Sequence, residues 1–412
     1  MSQVPVSVVV VSRDRPMALR RCLAGLAQLQ YDPFEIVVVA DAQGCAAVAG
    51  SDMATHIKIV PFEQPNISEA RNLGISHSAG DIIAFIDDDA VPEPSWLMQL
   101  TAPSARHEVS AMGGFVLGRN GISHQWKARA VDATGATEDI EMHPIRATVL
   151  KPKGARATKT EGTNMAVRRD VLVDVEGFDP GFAFFLDETD LNLRLARAGH
   201  ATAIVPMAQV HHGFAASPRR RADRVPRDLF DIGASWAVFQ RKYVPHAERI
   251  THWRALRAKE RARVVEHMML GRLLPEDVRR LLGRLDQGYS QGLMRRRGGA
   301  VVSNSPSAAF KPFPFASRKS VVLSGRIWER TRLRAEAAKR AKDGEIVTLI
   351  LLSPTALYHH VRFDPAGFWE QQGGLFGRSD RDDPLFRAYS FSTRVKKEWR
   401  RIAHQRMIND QV

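Results

Sequence analysis

The chain opens on a β-branched run, Val6–Val11, and after Arg13-Asp14-Arg15 comes Pro16, with leucines at 19, 23, 26 and 29. The run predicts a buried strand. The leucine spacing predicts a helix with proline in its first turn, where a missing amide donor is harmless. A second apolar run, Phe34–Val39, ends near Asp41, and Ile57–Val60 is a candidate third strand. Ser68-Glu69-Ala70-Arg71-Asn72 begins a short helix pattern with Ser68 as the expected N-cap. Ile82–Ile86 is bounded by Gly80-Asp81 and by Val91-Pro92-Glu93-Pro94 and reads as another buried strand. Strands alternating with helices in this order predict an α/β fold with a mainly parallel sheet.

The pattern changes after Ser217. From Arg224 to about residue 286, Arg, Leu and Ala recur at helical spacing, as in Leu273, Leu274, Val278, Leu281 and Leu282. Gly288 to Ser317 is rich in Gly, Ser, Pro and Ala and predicts a flexible connector. Beyond it, Ser320–Leu323, a basic helix pattern from Trp328 to Lys342, and Ile346–Leu352 form one strand–helix–strand unit. Phe368-Trp369-Glu370 and Gly373-Gly374 read as packing and turn residues. The expected organisation is an α/β domain over 1–222, a helical extension over 223–287, a linker over 288–318 and a small α/β module over 319–412.

Composition narrows the class. With 44% hydrophobic and 25% charged residues in 412, the chain reads as an ordinary globular protein. No apolar segment approaches the roughly 20 residues that span a bilayer. Val4–Val11 carries no basic leader and runs into Arg13, so a strand is expected there and not a signal peptide. Cys22 and Cys45 lack metal-ligand spacing, which fits a reducing cytosol. The formal charge of +14 is concentrated at Arg219-Arg220-Arg221, Arg295-Arg296-Arg297 and Arg394 to Arg401. No zinc-finger spacing, aromatic RNA-binding signature or helix-turn-helix accompanies it, so nucleic acid is not an expected partner. A solvated basic surface is the first reading, and peripheral contact with an anionic membrane is the second. The expected location is the cytoplasm, with contact at the inner membrane face under that second reading.

Candidate chemistry centres on Asp87-Asp88-Asp89, directly after Ile86. Adjacent carboxylates repel and resist desolvation unless a cation or dense hydrogen bonding offsets them. At the carboxyl edge of a parallel sheet they suit a divalent metal holding a diphosphate; a solvated capping turn is the plain alternative. Asp41 can accept from a nucleobase imide or simply start a turn. Arg71, near a helix start, suits a diphosphate. Asp187 and Glu188 follow Phe184-Phe185-Leu186 and precede the amphipathic segment Leu191–Ala198. A carboxylate at a partly apolar helix start can be tuned to general-base work. Asp190 is explained by capping or by pairing with Arg194. His211 or His212, beyond the strand Ala201–Val205, can complete a metal site begun by Asp89.

In chain order these segments resemble a family 2 glycosyltransferase of the GT-A fold over residues 4 to about 217. They are Val8–Pro16, Phe34–Asp41, Ser68–Ile75, the DXD-type Phe85–Asp89, Gly162–Ala166, Gly177-Phe178-Asp179 and Asp187–Leu191. No comparable resemblance covers 224–412. The resemblance implies that Ser12, Asp41, Arg71, Asp87, Asp88 and Asn164 face the donor, with Asp41 at its base and Arg71 at its diphosphate. It implies that Asp89, with Asp87 and His211 or His212, holds Mg²⁺ or Mn²⁺. The family presents Glu-Asp at the base position, and here the order is Asp187-Glu188, so Glu188 or Asp187 is the implied base. The second-strand motif also has Ala40 where an acidic residue is frequent. The implied activity is inverting, metal-dependent sugar transfer from a nucleoside-diphosphate sugar to a glycan or lipid-linked acceptor, as in bacterial surface polysaccharide or glycolipid assembly. The rivals are a sugar nucleotidyltransferase and a non-catalytic nucleotide-sugar-binding scaffold. The first would carry a glycine-rich loop where Ser12-Arg13-Asp14-Arg15-Pro16 stands.

Overall fold

The computed structural model describes residues 3–213, 215–296, 298–300 and 302–408; Arg297 of the second basic cluster and the last four residues lie outside it. The first half runs β1 (Val6–Ser12), α1 (Pro16–Leu26), β2 (Phe34–Ala40), α2 (Ala42–Ala49), β3 (Ile57–Pro61), α3 (Ile67–His77) and β4 (Ile82–Asp87). Next come β5 (Ala90–Pro92), α4 (Trp96–Thr101), β6 (Val109–Leu117), β7 (His124–Trp126), β8 (Arg129–Val131), β9 (Thr137–Asp139), β10 (Thr148–Leu150) and β11 (Ala157–Lys159). The domain closes with β12 (Met165–Arg168), α5 (Arg169–Asp174), α6 (Asp187–Arg197) and β13 (Ala201–His212).

The main sheet has the order β10-β13-β6-β12-β4-β1-β2-β3. β1 pairs in parallel with both β2 and β4, and β2 with β3, so Ser12, Ala40 and Asp87 end at one edge. β1, β2 and β4 are buried on both faces, which is why they read as apolar runs without alternation, whereas β3 at the sheet edge is only partly buried. β12 enters antiparallel between β4 and β6, and β13 lies parallel to β6. The result is the α/β, mainly parallel GT-A arrangement. One local expectation changes: Asn66, not Ser68, caps α3, its Oδ1 accepting from the amides of Ser68 and Glu69 at 3.1 and 3.2 Å. Ser68 sits inside the first turn, buried, and donates to the Phe182 carbonyl at 2.7 Å.

The helical extension comprises α7 (Phe230–Tyr243), α8 (Arg249–Met269) and α9 (Pro275–Gly292). Trp236, Phe239, Leu281 and Leu285 share one apolar cluster with Phe182, Leu186 and Leu193, so α7 and α9 brace the segment leading into α6. The expected flexible linker is instead a pinned strap. The amides of Ala300, Ser307 and Phe313 donate to the carbonyls of Glu176, Ser76 and Phe34 at 2.9, 2.8 and 2.7 Å. The Lys311 amide donates to the buried Glu35 carboxylate at 2.8 Å, and Phe313 stacks 5.3 Å from Phe34 in the main core. Gly/Ser/Pro composition signals low intrinsic order, but fixed acceptors and one aromatic anchor override it.

The C-terminal module contains β14 (Ser320–Arg326), α10 (Arg330–Lys342), β15 (Ile346–Ser353), β16 (His360–Asp364), β17 (Phe368–Gly374) and α11 (Phe391–Arg406). Its sheet order is β14-β15-β17-β16, with only β16 antiparallel. Val361, Phe363 and Trp369 join Val91 and Ile122 in an apolar cluster that docks the module on the first domain. Among the described residues, no helix is long and apolar enough to cross a membrane.

Candidate active site

The carboxyl ends of β1 and β4 bring the first groups together. Ser12 Oγ donates to Asp88 Oδ2 at 2.7 Å, and Arg15 lies 2.6 Å from Asp88 and 3.3 Å from Asp89. Asp88 and Asp89 are buried, whereas the Asp87 side chain is 31% exposed. Burial pushes Asp88 up to about 7 against the pull of Arg15. Burial acts to raise Asp89 as well, but the hydrogen bond and charge of His212, with Arg15 and the Ala215 amide, hold it well below the usual carboxylate range.

β5 follows Asp89 and pairs antiparallel with the end of β13, which delivers His212 to the aspartates. His212 Nε2 is 3.2 Å from Asp89 Oδ1, and its Nδ1 is 2.9 Å from Gln125 Oε1. With Gln125 accepting, Nδ1 carries a proton and Nε2 is the ring nitrogen turned to Asp89; a bound cation would take the Nε2 lone pair in place of the proton that pairs it with Asp89. One ligand atom each from Asp87, Asp89 and His212 lies within 4.8 Å of the others. Two hard carboxylates and an oriented imidazole fit a divalent cation such as Mn²⁺. His211, one residue earlier on the strand, turns away, its Nε2 2.7 Å from Glu93.

Arg71 connects this group to the start of α6. It is buried, ion-paired with Asp187, and 3.4 Å from Asp87. Gly162 lies so close to the guanidinium that a Cβ there would collide with it, a physical reason for glycine at that point in the motif. Phe185 and Leu186 adopt left-handed φ angles of 72° and 67°, a strained turn that places Asp187 and Glu188 in the first turn of α6. α7 holds the turn: Ser235 Oγ donates to the Phe184 carbonyl at 2.7 Å. Glu188 Oε1 is 3.0 Å from Lys159 Nζ, which also lies 3.0 Å from Glu161, itself paired with Arg129. Burial would raise Glu188, but Lys159 draws it down to about 2. Burial pushes Asp187 up to about 7 against Arg71, with the Glu188 charge adding to the rise.

A cleft of about 370 Å³ opens beside the ends of β1 and β4, apolar along Val11, Val39 and Phe62 and polar along Ser12, Arg15, Asp87 and Asp89. The profile of a family described as "Glycosyltransferase like family 2" matches residues 3–229, more than half of the chain. The chain belongs to glycosyltransferase family 2. It is 28% identical over 253 residues to the O-antigen biosynthesis protein RfbC of Myxococcus xanthus, covering 57% of this chain and 19% of that one. It is 26% identical over 195 residues to the glucosyl-dolichyl phosphate glucuronosyltransferase of Haloferax volcanii, covering 43% of this chain and 56% of that one. The match thus spans little more than half, or much less, of the length of these two relatives. A solved structure, a mannosyltransferase from Pyrobaculum calidifontis in complex with GDP-Man and Mn²⁺, superposes with a TM-score of 0.40 at 16% identity, over 71% of this chain and 88% of that one.

The family site takes a particular form in this member. Asn164, expected at the donor, is instead fully buried: its amide nitrogen donates to the carbonyls of Phe115 and Ala208 at 2.9 and 2.8 Å, and its oxygen accepts from Trp96 at 2.8 Å. It ties β6 to β13. Asp41 caps α2 through the Gly44 amide at 2.8 Å and takes the Asp14 amide at 2.7 Å, so it braces the turn after β1. Sequence reasoning did not assign Arg15, Gln125 or Lys159. Arg15 lies in the Val8–Pro16 segment, where it is legible as a cation beside the aspartates. Gln125 and Lys159 sit in three-residue strands with no periodicity and gave no signal.

Proposed function

We propose that this chain is an inverting, divalent-metal-dependent glycosyltransferase that moves a sugar from a nucleoside diphosphate to a hydroxyl group. The observation that carries the reading is the convergence of Asp87, Asp89 and His212 on one side and Glu188 on the other, with Arg71 bridging to both sides. Asp87, Asp89 and His212 would hold Mn²⁺ or Mg²⁺, which supplies charge neutralisation on a departing diphosphate. Arg71 offers a second positive group for that diphosphate.

Glu188 is the base this geometry favours. It is ionised, it is more open than Asp187 (16% against 4% side-chain exposure), and Lys159 fixes its carboxylate without enclosing it. Asp187 is sequestered by Arg71, which removes the second carboxylate a double-displacement route would need. A single base assisting a single displacement inverts the anomeric centre. β1 passes directly into Arg13-Asp14-Arg15-Pro16 without a glycine loop, which argues against a nucleotidyltransferase.

The acceptor is a glycan or lipid-linked hydroxyl of surface polysaccharide or glycolipid assembly, a reading supported by the O-antigen and dolichyl-phosphate names of the two relatives. The turn between α8 and α9 exposes Met269, Leu270 and Leu274, which with the charge of +14 supports peripheral contact with an anionic membrane. The test is to incubate the chain with a panel of nucleotide sugars and Mn²⁺ and follow nucleoside-diphosphate release. Release with one donor, abolished by chelation, is expected. No release from any donor, or pyrophosphate release from a nucleoside triphosphate and a sugar phosphate, contradicts the reading.

A further inference from the structure

Glu93 is a buried carboxylate four residues beyond Asp89, and its side-chain partners come from the middle and the end of the chain. Oε1 is 2.7 Å from His211 Nε2 and 3.0 Å from Arg406 Nη2, and Oε2 is 2.9 Å from Arg406 Nε. Arg406 is the last residue of α11 and is 1% exposed. Its Nη1 donates to Thr348 Oγ1 of β15 at 3.0 Å, and its guanidinium lies 4.4 Å from the Trp369 ring of β17. Trp369 in turn packs 4.7 Å from the His211 ring. Two backbone bonds extend the contact: Ser95 donates its amide to the Gln405 carbonyl at 3.0 Å, and Glu93 donates its amide to the Gln209 carbonyl at 3.1 Å.

All of these groups grip one short ladder. β5 follows Asp89 directly and pairs with Val210, His211 and His212. Its other end, at Glu93, is where Arg406 binds. Ala90, Val91 and Pro92 alone separate Asp89 from the clamped glutamate, and His211 is the immediate neighbour of His212. The ends of β5 and β13, next to Asp89 and His212, are tied to each other by Glu93 and His211, and Arg406, which belongs to neither strand, holds the Glu93 side of that tie.

We infer that the C-terminal module acts as a clamp, with Arg406 as a positioning residue that fixes the spacing of Asp89 and His212 through Glu93 and His211. This rests on the metal reading above. A bidentate arginine on a buried carboxylate sets both distance and plane, so loosening it lets β5 and β13 shift against each other. Metal affinity depends on ligands held to within a few tenths of an ångström, and loss of outer groups that orient them costs about 10–100-fold. Because Arg406 acts through Glu93 and His211, the lower end of that range is expected.

The test is Mn²⁺ titration calorimetry on the full chain, comparing wild type, Arg406→Met, Arg406→Lys and Glu398→Ala. Glu398 is also buried in the C-terminal module but pairs only within it. Arg406→Met is expected to weaken Mn²⁺ by about tenfold, Arg406→Lys by less, and Glu398→Ala not at all despite a lower melting temperature. If Arg406→Met does not fold, Glu93→Gln carries the same expectation. Unchanged affinity in Arg406→Met, or in Glu93→Gln should that variant replace it, overturns the clamp, as does equal weakening in Glu398→Ala. A wild-type chain that takes no Mn²⁺ overturns the metal reading and the clamp with it.

Discussion

The chain gathers carboxylates in two places and treats them differently. In the C-terminal module, Glu398 is fully buried and answered on every side: Arg394 at 3.0 Å, Arg401 at 3.3 Å, Gln371 at 2.7 Å and Ser379 at 2.6 Å. At the end of β4, Asp88 and Asp89 share Arg15, and Asp87 shares Arg71 with Asp187. Two of them, Asp87 and Asp89, line a cleft, and Asp87 is the more open. The first cluster is complete without any ligand. The second has fewer positive groups than negative ones, and its acids face space where a cation fits. Buried charge is structural where its neighbours balance it, and functional where the balance is left to something that binds.

Three substitutions sharpen that contrast. The largest effect belongs to Glu188→Gln, which removes the proposed base while keeping its shape. Turnover should fall about 10²–10⁴-fold with donor affinity unchanged. Single-turnover kinetics beside donor calorimetry would check this, and near wild-type turnover would rule Glu188 out. Glu398→Ala should lose about 3–5 kcal/mol of stability, because Arg394 is left buried with its partner gone. A denaturant titration that finds no change would mean the module's network is not the balanced structure described.

The smallest effect is a change in pH dependence. Lys159 holds Glu188 down at about 2, so this proposed base stays ionised as pH falls through 5. In Lys159→Met, burial is no longer opposed and the carboxyl rises. The base then protonates at higher pH, and the acid limb of kcat/KM should move up by about 1–3 pH units. Rates at pH 8 should change far less than rates at pH 5. An unmoved acid limb would separate Lys159 from the base.

Much of the site was legible because its residues sit where elements end. Asp87–Asp89 close an apolar run, Arg71 opens a helix pattern, and Asp187-Glu188 precede an amphipathic one. The helix and strand periods therefore pointed at them. Asn164 belonged to a true family segment, yet its amide is drawn inward where Gly114 leaves room beside it, which no local pattern encodes. The strap over 302–319 defied its composition, because its order comes from acceptors on Ser76, Phe34 and Glu35 that are remote in sequence. The Glu93–Arg406 pair joins residues 313 positions apart, beyond the reach of any periodicity.

The central claim, that the open carboxylate cluster is a cation site, is tested most directly by Mn²⁺ titration calorimetry on the wild-type chain and on Asp89→Ala. Saturable binding of one ion by the wild type, lost in the variant while its fold persists, is the predicted result. Equal binding by both, or by neither, contradicts it.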